Sequence, residues 1–546
     1  MSTNKKFTLG ILLGMALILT LGSCGGSGKA SGSSGKVRLS VGITADPDTL
    51  NPIVSRDRAG NWLGCIQYPT LLKRGTDASM QPYGADSFSI SPDGLEVTFN
   101  LRKDLKWSDG TPFTSADVAY TKYLVGDLRL ANFASSFDIV TETLTPDDHT
   151  IIFKLSTPSY VFVGSIGPWM KIIPKHVWEK ISDPGTYLND TNVVAMGPFL
   201  MTEAKRGEYY IYKAVDSWFQ APGAGKPAVD ELVFRVYPDI NAMVIAVQSG
   251  EIDFTAKEIP FDSAEALKSQ GFIIESNESL GYTHTSFNAS SEFLRDVNLR
   301  RALAAAIDKK TIIQFAIKNE GEVMDSIISP VFGDLPSKSP AAKYPTYNPN
   351  TAKQILADAG YRDTDGDGIL NAPRGGKNVS FSMMYDGNDI VVKNSSDIVY
   401  QNYKDIGIDL KLLPMEKTTY TEKLKVKDFD SWLGNWGIME VLNGDMNVVY
   451  ESNSAMYYYG IPFADIDASL LTIKEAGTYD QIVVGIHQFE EAMAAECIAI
   501  PIFVQHFAYP HNTKYVGFEV YPSDLGGIID PQGMANVRPA KSTTSP

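Results

Sequence analysis

Apolar and polar positions recur along this chain with periods that predict its elements. Val97, Phe99 and Leu101 alternate with Thr98 and Asn100, and Ile408, Leu410 and Leu412 alternate with Asp409 and Lys411. A strand turns successive side chains to opposite faces, so this period predicts half-buried strands. Leu299, Ala302, Leu303, Ala306 and Ile307 fall instead on one apolar stripe of a helix. Helix stops precede strands repeatedly. Asn350 is expected to cap a helix that runs through Leu356 and Ala359 to Gly360, and the helix holding Ile398, Val399, Tyr403 and Ile406 is expected to end at Gly407, ahead of its strand. Ile482, Ile486, Phe489 and Met493 predict a late helix feeding the apolar run 498–503, a buried strand. Helices alternating with strands imply α/β layers.

The chain opens differently. Lys5 and Lys6 precede an apolar run from Phe7 to Leu21, which leads to Cys24 and a Gly/Ser-rich stretch. The run falls short of the ~20 residues that a spanning helix needs. It reads as an export signal, residues 1–23. Leu21-Gly22-Ser23-Cys24 resembles the bacterial lipobox, which would leave Cys24 as an acylated N-terminus; an ordinary secretory signal is the alternative. Residues 24–36 have little apolar surface to bury and are expected to be a flexible tether. The length that follows predicts two or three soluble domains, and the tail 540–546 is expected to be disordered.

Composition narrows the function. A net charge of −16 disfavours nucleic acid and anionic lipid surfaces, leaving the acyl chains as the means of attachment. Beyond Cys24 the only cysteines are Cys65 and Cys497, and a disulfide and two buried free thiols both remain open. The histidines, at 149, 176, 284, 487, 506 and 511, form no HExxH pair. Asp363-Thr364-Asp365-Gly366-Asp367-Gly368-Ile369 matches the first half of a calcium loop, but Arg374 stands where a bidentate Glu is required. An Asp/Gly-rich turn is expected there. GxSxG, GxxxxGK[ST] and GxGxxG are all absent, so no enzyme, cofactor or metal site is implied.

Several longer phrases follow one another in order. Pro47-Asp48-Thr49-Leu50-Asn51-Pro52 comes first, then Leu101-Arg102-Lys103-Asp104-Leu105-Lys106-Trp107-Ser108-Asp109-Gly110-Thr111-Pro112-Phe113-Thr114-Ser115-Ala116-Asp117-Val118. Met196-Gly197-Pro198-Phe199, Ser249-Gly250-Glu251-Ile252-Asp253, Phe287-Asn288, Leu299-Arg300-Arg301-Ala302-Leu303 and Ile307-Asp308 complete the series. Together they resemble the family 5 extracellular solute-binding proteins, the oligopeptide, dipeptide and nickel-binding receptors of ABC importers. Most of these phrases read as scaffold. Ser108 to Pro112 is turn chemistry ahead of a helix that Ser115 or Asp117 could start, and Gly250 suits the left-handed stop of a helix begun near Asp239.

The resemblance implies an α/β, two-lobed periplasmic-binding-protein-like fold (type II, cluster C) with an extra inserted N-terminal domain. It places lobe I at 37–74, 196–284 and 508–546, the inserted domain at 75–195 and lobe II at 285–507. Ligand would lie between hinged lobes and be passed, unaltered, to permease subunits served by separate ATPase subunits. The protein is expected to be a monomer, extracytoplasmic, held by its lipid to the cell membrane or facing the periplasm, with no nucleic-acid partner.

Carried over position by position, the family's pocket falls on Arg56, Arg58 and Trp62 at the cleft rim, Lys257 and Glu258 after Asp253, His284, and Asn435, Trp436, Gly437, Met439 and Glu440. The arginines could pair with a carboxylate or stay solvated. Peptide-binding relatives follow a Trp three residues later with an aspartate for the ligand's α-ammonium, in a phrase like Trp-x-x-Asp-Tyr-x-x-Pro. Met439 stands in that place here, and Glu440, one residue on, would point the other way in an extended segment. Trp436 offers a stacking face or packs in the core. A peptide or peptide-like solute is the leading expectation, then an oligosaccharide, then a metal chelate; a non-transport sensor or enzyme on the same scaffold is the rival.

Overall fold

The computed structural model describes residues 36–76, 78–131, 133–220, 225–374, 376–522 and 529–540. The export signal, Cys24, the tether up to residue 35 and tail residues 541–546 lie outside the described residues. No helix among those described is long and apolar enough to cross a membrane.

The backbone of the fold is one long mixed sheet. Its order runs from Asp409–Met415 through Ser380–Asp386, Ser431–Trp436, Tyr282–Phe287 and Ala499–His511 to Phe254–Thr255, Arg38–Ile43, Glu231–Val236, Tyr209–Ala214 and Phe199–Lys205. The strand Ala499–His511 joins the two halves. Its early residues pair antiparallel with Tyr282–Phe287, and its later ones, from His506 to His511, pair with Ile273–Glu278. Each half carries its own apolar core, one including Leu39, Val41, Phe199, Tyr212 and Phe234 and the other Leu299, Leu303, Ile486, Phe489 and Ile500. The molecule is thus two-lobed, with a continuous hydrogen-bonded ribbon between lobes. A third core forms on a separate antiparallel sheet, Ala85–Ile90, Glu96–Leu101, Thr150–Leu155 and Val140–Asp147.

Local patterns explain the elements. Val97, Phe99 and Leu101 are buried on one face of Glu96–Leu101. Val297–Ala306 buries Leu299, Ala302, Leu303 and Ala306, but it also buries Arg300, whose guanidinium donates to the carbonyls of Leu294 and Arg295 and to the Glu496 carboxylate, each at 2.9 Å. The helix over 349–358 is capped by Asn348 rather than Asn350. Asn348 Oδ1 accepts from the N–H groups of Asn350 and Thr351, because Pro349 takes the first helical position, where its fixed φ and missing N–H fit. Gly360 and Gly407 take positive φ at their helix ends, as does Gly250 after Ile240–Ser249, which Asp239 caps. Thr114 precedes Ser115–Lys122, and its N–H donates to Asp117 at 2.9 Å. Tyr479–Glu496 feeds the long strand through Cys497. Cys65 and Cys497 are both free, which closes the disulfide alternative. Asp363 accepts the N–H groups of Gly366 and Gly368 at 2.7 and 3.1 Å, and these bonds order the Asp/Gly turn.

Candidate functional site

The strand Ser431–Trp436 lies between Ser380–Asp386, to which it is parallel, and Tyr282–Phe287, to which it is antiparallel. Tyr282 faces Trp436, Thr283 faces Asn435 and His284 faces Gly434 in register. Entry to Tyr282 passes so close to the neighbouring chain that a Cβ on Gly281 would stand 1.7 Å from the Trp436 carbonyl oxygen. Glycine is required by that approach.

Where these strands meet the later half of Ala499–His511, a cavity of about 290 Å3 opens. Glu258, Gln505, Phe507, Asp389, Asn435 and Trp436 are among the residues that line it. Asp389 caps Ile390–Asp405 through Oδ1, accepting from Val391 and Val392 at 3.0 and 3.1 Å, and its Oδ2 accepts from Asn435 Nδ2 at 3.2 Å. The carboxylate of Glu258 accepts from Arg58 Nη1 at 3.1 Å. The wall therefore carries acidic groups that are already hydrogen-bonded, beside an aromatic face.

That face has depth. Trp436 stacks on His284 with ring centroids 5.7 Å apart and planes 10° from parallel, and Trp432 meets His284 edge-on at 4.4 Å. His284 is fully buried beneath them, with Nδ1 2.7 Å from Ser286 Oγ and no hydrogen-bond partner for Nε2. Burial pushes its imidazole down to about 3, so the ring is neutral near pH 7. His284 supports Trp436 from behind.

The other sequence-derived positions divide sharply. Trp62 is 3% exposed, in the core of its lobe, with the Arg58 guanidinium 5.5 Å over its ring. Arg56 is exposed and its main-chain N–H donates to Asp48 at 2.8 Å, while Lys257 is half-buried next to Glu258. Gly437 lines the 290 Å3 cavity, whereas Met439 is buried in the second lobe's core. Glu440 is turned the other way, as alternation requires, and is 1% exposed. Its Oε1 accepts from Arg74 Nε at 2.6 Å, its Oε2 accepts from Arg74 Nη2, and Trp169 Nε1 donates to Oε2 at 3.3 Å. Its own N–H donates to Asp445 Oδ2 at 2.9 Å. Burial, with the Glu440 charge second, raises the Asp445 carboxyl to about 7.

The structure therefore gathers Glu258, Asn435, Trp436 and Gly437 around one cavity, sets His284 behind it and Arg58 beside it, and places Trp62, Met439 and Glu440 elsewhere. Sequence reasoning missed Tyr282, Asp389, Gln505 and Phe507. Only Asp389 left a local signal, an Asp ahead of Ile390-Val391-Val392 at a helix start.

Comparison with known proteins adds an independent line. The model of the bacterial extracellular solute-binding proteins, family 5 (middle), matches residues 79–454. The chain is 28% identical over 551 residues to the oligopeptide-binding protein AppA of Bacillus subtilis, covering 97% of this chain and 99% of that protein. It is 24% identical over 366 residues to the nickel-binding periplasmic protein of Escherichia coli, covering 64% of this chain and 66% of that one. Among solved structures, the ABC transporter substrate-binding protein CtaP of Listeria monocytogenes superposes with a TM-score of 0.79 at 22% identity, over 92% of this chain and 99% of that one. AppA in complex with a nonapeptide gives 0.68 at 24% identity, over 93% and 100%.

Proposed function

Because the chain belongs to the family 5 bacterial extracellular solute-binding proteins, a family that binds solutes for import rather than transforming them, we propose that it captures a peptide or peptide-like solute between its lobes. The captured solute is then delivered to an ABC permease whose ATPase is a separate subunit. The observation that carries this reading is the cavity where the two halves of the long sheet meet, lined by Glu258 of one half and by Asn435 and Trp436 of the other, with His284 packed behind Trp436. An aromatic face with hydrogen-bonding groups around it suits a solute that is part apolar and part polar. The similarity to AppA, an oligopeptide-binding protein, favours a peptide.

Met439 and Glu440 shape the proposal further. No carboxylate stands at 439, and the one at 440 is held by Arg74, so a free α-ammonium finds no partner in the place where peptide-binding relatives provide one. The acidic groups available to it in the cavity are Glu258 and Asp389. We take lobe I as 37–74, 196–284 and 508–546, the inserted domain as 75–195 and lobe II as 285–507. Cys24 is proposed as the lipid attachment that keeps the protein on the outer side of the membrane.

Tryptophan fluorescence tests the reading. Short peptides should shift or quench it in the wild type, and Trp436→Ala should weaken their binding at least tenfold. Emission and affinity that do not respond to peptides, or an unaffected Trp436→Ala variant, would remove this cavity from the site. A response to oligosaccharides alone would turn the proposal to sugars.

A further inference from the structure

A second cavity, about 120 Å3, shares no lining residue with the first and is lined by Asn61, Lys73, Arg74, Trp169, Lys171 and Gln532 among others. Its charges do not balance. Arg74 is neutralised by Glu440. Lys73 donates to Gln220 at 3.3 Å and to Gln532, with the negative fields of Asp530 and Glu519 on it. Lys171 has no such counterpart: it is 7% exposed, and among the described residues no carboxylate lies within 4.0 Å of its ammonium. Its one hydrogen bond runs from Nζ to Asn61 Oδ1 at 2.7 Å.

The surroundings hold Lys171 in that position. Asn61 Nδ2 donates to the Asp57 carbonyl at 2.9 Å, which fixes the amide with its oxygen toward the ammonium. Gly64, on the helix Arg58–Cys65, leaves room for the stem, since a Cβ there would be 3.2 Å from Lys171 Cε. An ammonium carries three N–H donors, and a buried cation is stable only when its donors and charge are answered. Two donors remain at the cavity wall.

We infer that Lys171 receives the carboxylate of a small solute in this cavity, an anionic subsite separate from the Trp436 platform. One unanswered positive charge matches one carboxylate, whereas a phosphate monoester near pH 7 brings nearly two negative charges. The flanking Trp169 and Tyr83 supply an apolar wall for the carbon that bears the carboxylate. The inference rests on the solute-capture reading and names a chemical feature of the captured molecule.

Matched pairs of solutes test it: short peptides and sugar acids with free carboxylates, each beside its amide, measured by calorimetry and melting temperature on the whole protein. The free acid should bind the wild type at least tenfold more tightly than its amide. Lys171→Met should erase that preference, Lys171→Arg should keep it, and Asn61→Asp, which supplies an internal carboxylate at the same place, should abolish it in a folded protein. Equal binding of acid and amide by the wild type, or an acid preference that survives both Lys171→Met and Asn61→Asp, overturns the inference and leaves solute capture standing. Binding of neither form removes the peptide reading and this subsite together.

Discussion

Glu440 shows how one residue step changes a role. Read beside Met439 it belongs to a ligand loop, yet the alternation of an extended segment turns it against Arg74, where both partners are withdrawn from water. Removing one member of a buried ion pair leaves the other charge uncompensated, so Glu440→Ala should cost about 3 kcal/mol in denaturant unfolding. A loss below about 0.5 kcal/mol would mean that water reaches Arg74 easily, as at exposed pairs. Asp445 next door gives a pH signature. Its carboxyl titrates near 7 in the folded chain against an ordinary value of 3.8, raised first by burial and then by Glu440. Below about pH 4 it is protonated whether folded or unfolded; between about 4 and 7 the folded chain keeps a proton that the unfolded chain has released, so its contribution to stability falls as pH rises through that window. Asp445→Asn cannot titrate there. The melting temperature of Asp445→Asn minus that of the wild type should therefore climb from pH 4 to pH 8, and a flat difference would contradict a buried, proton-holding Asp445.

At the scale of elements, the sequence was most legible where one face is buried and the other wet. Glu96–Leu101 and Val297–Ala306 show their periods plainly because each packs a single stripe. Tyr282–Phe287 shows none, since all six of its residues are buried, with neighbouring strands on either edge and packing on both faces. That strand nonetheless builds the site. Its approach to Ser431–Trp436 depends on Gly281, so Gly281→Ala should push the two strands apart, destabilise the protein by about 2 kcal/mol and blunt the fluorescence response of Trp436 to solute. A variant with wild-type stability and response would show that the backbone relaxes around the added methyl. The cap over 349–358 sits two positions before the expected one for a simpler reason: Asn348 and Asn350 are both good caps, and only the Pro349 ring decides which one precedes the helix.

At the scale of the whole molecule, the separate antiparallel sheet and its core meet the second lobe. The helix Tyr160–Ile166, beside the antiparallel sheet, touches the second lobe where a Cβ on Gly164 would come within 2.0 Å of the Leu442 carbonyl oxygen, and Ser165 Oγ donates to the Asn443 carbonyl at 2.8 Å. If ligand stabilises a closed arrangement, this surface must seat each time the lobes shut. Gly164→Ala should hold it open, so that small-angle scattering shows a larger radius with solute present and affinity falls by about tenfold, the equivalent of about 1.4 kcal/mol withheld from closure. Unaltered scattering and affinity would uncouple this contact from capture. The sequence by itself determined the α/β alternation, the helix stops at Gly250, Gly360 and Gly407, and through its phrases the family, because these depend on neighbours along the chain: caps, turns and side-chain periods. Only the tertiary structure decided that His284 lies behind Trp436, that Glu440 belongs to Arg74, and that Lys171 is left with an amide for a partner. Those pairings join residues far apart in sequence, from 110 positions for Asn61 and Lys171 to 366 for Arg74 and Glu440. No local period encodes them; strand order and the packing of separate cores set which side chains meet and which are left to face a guest.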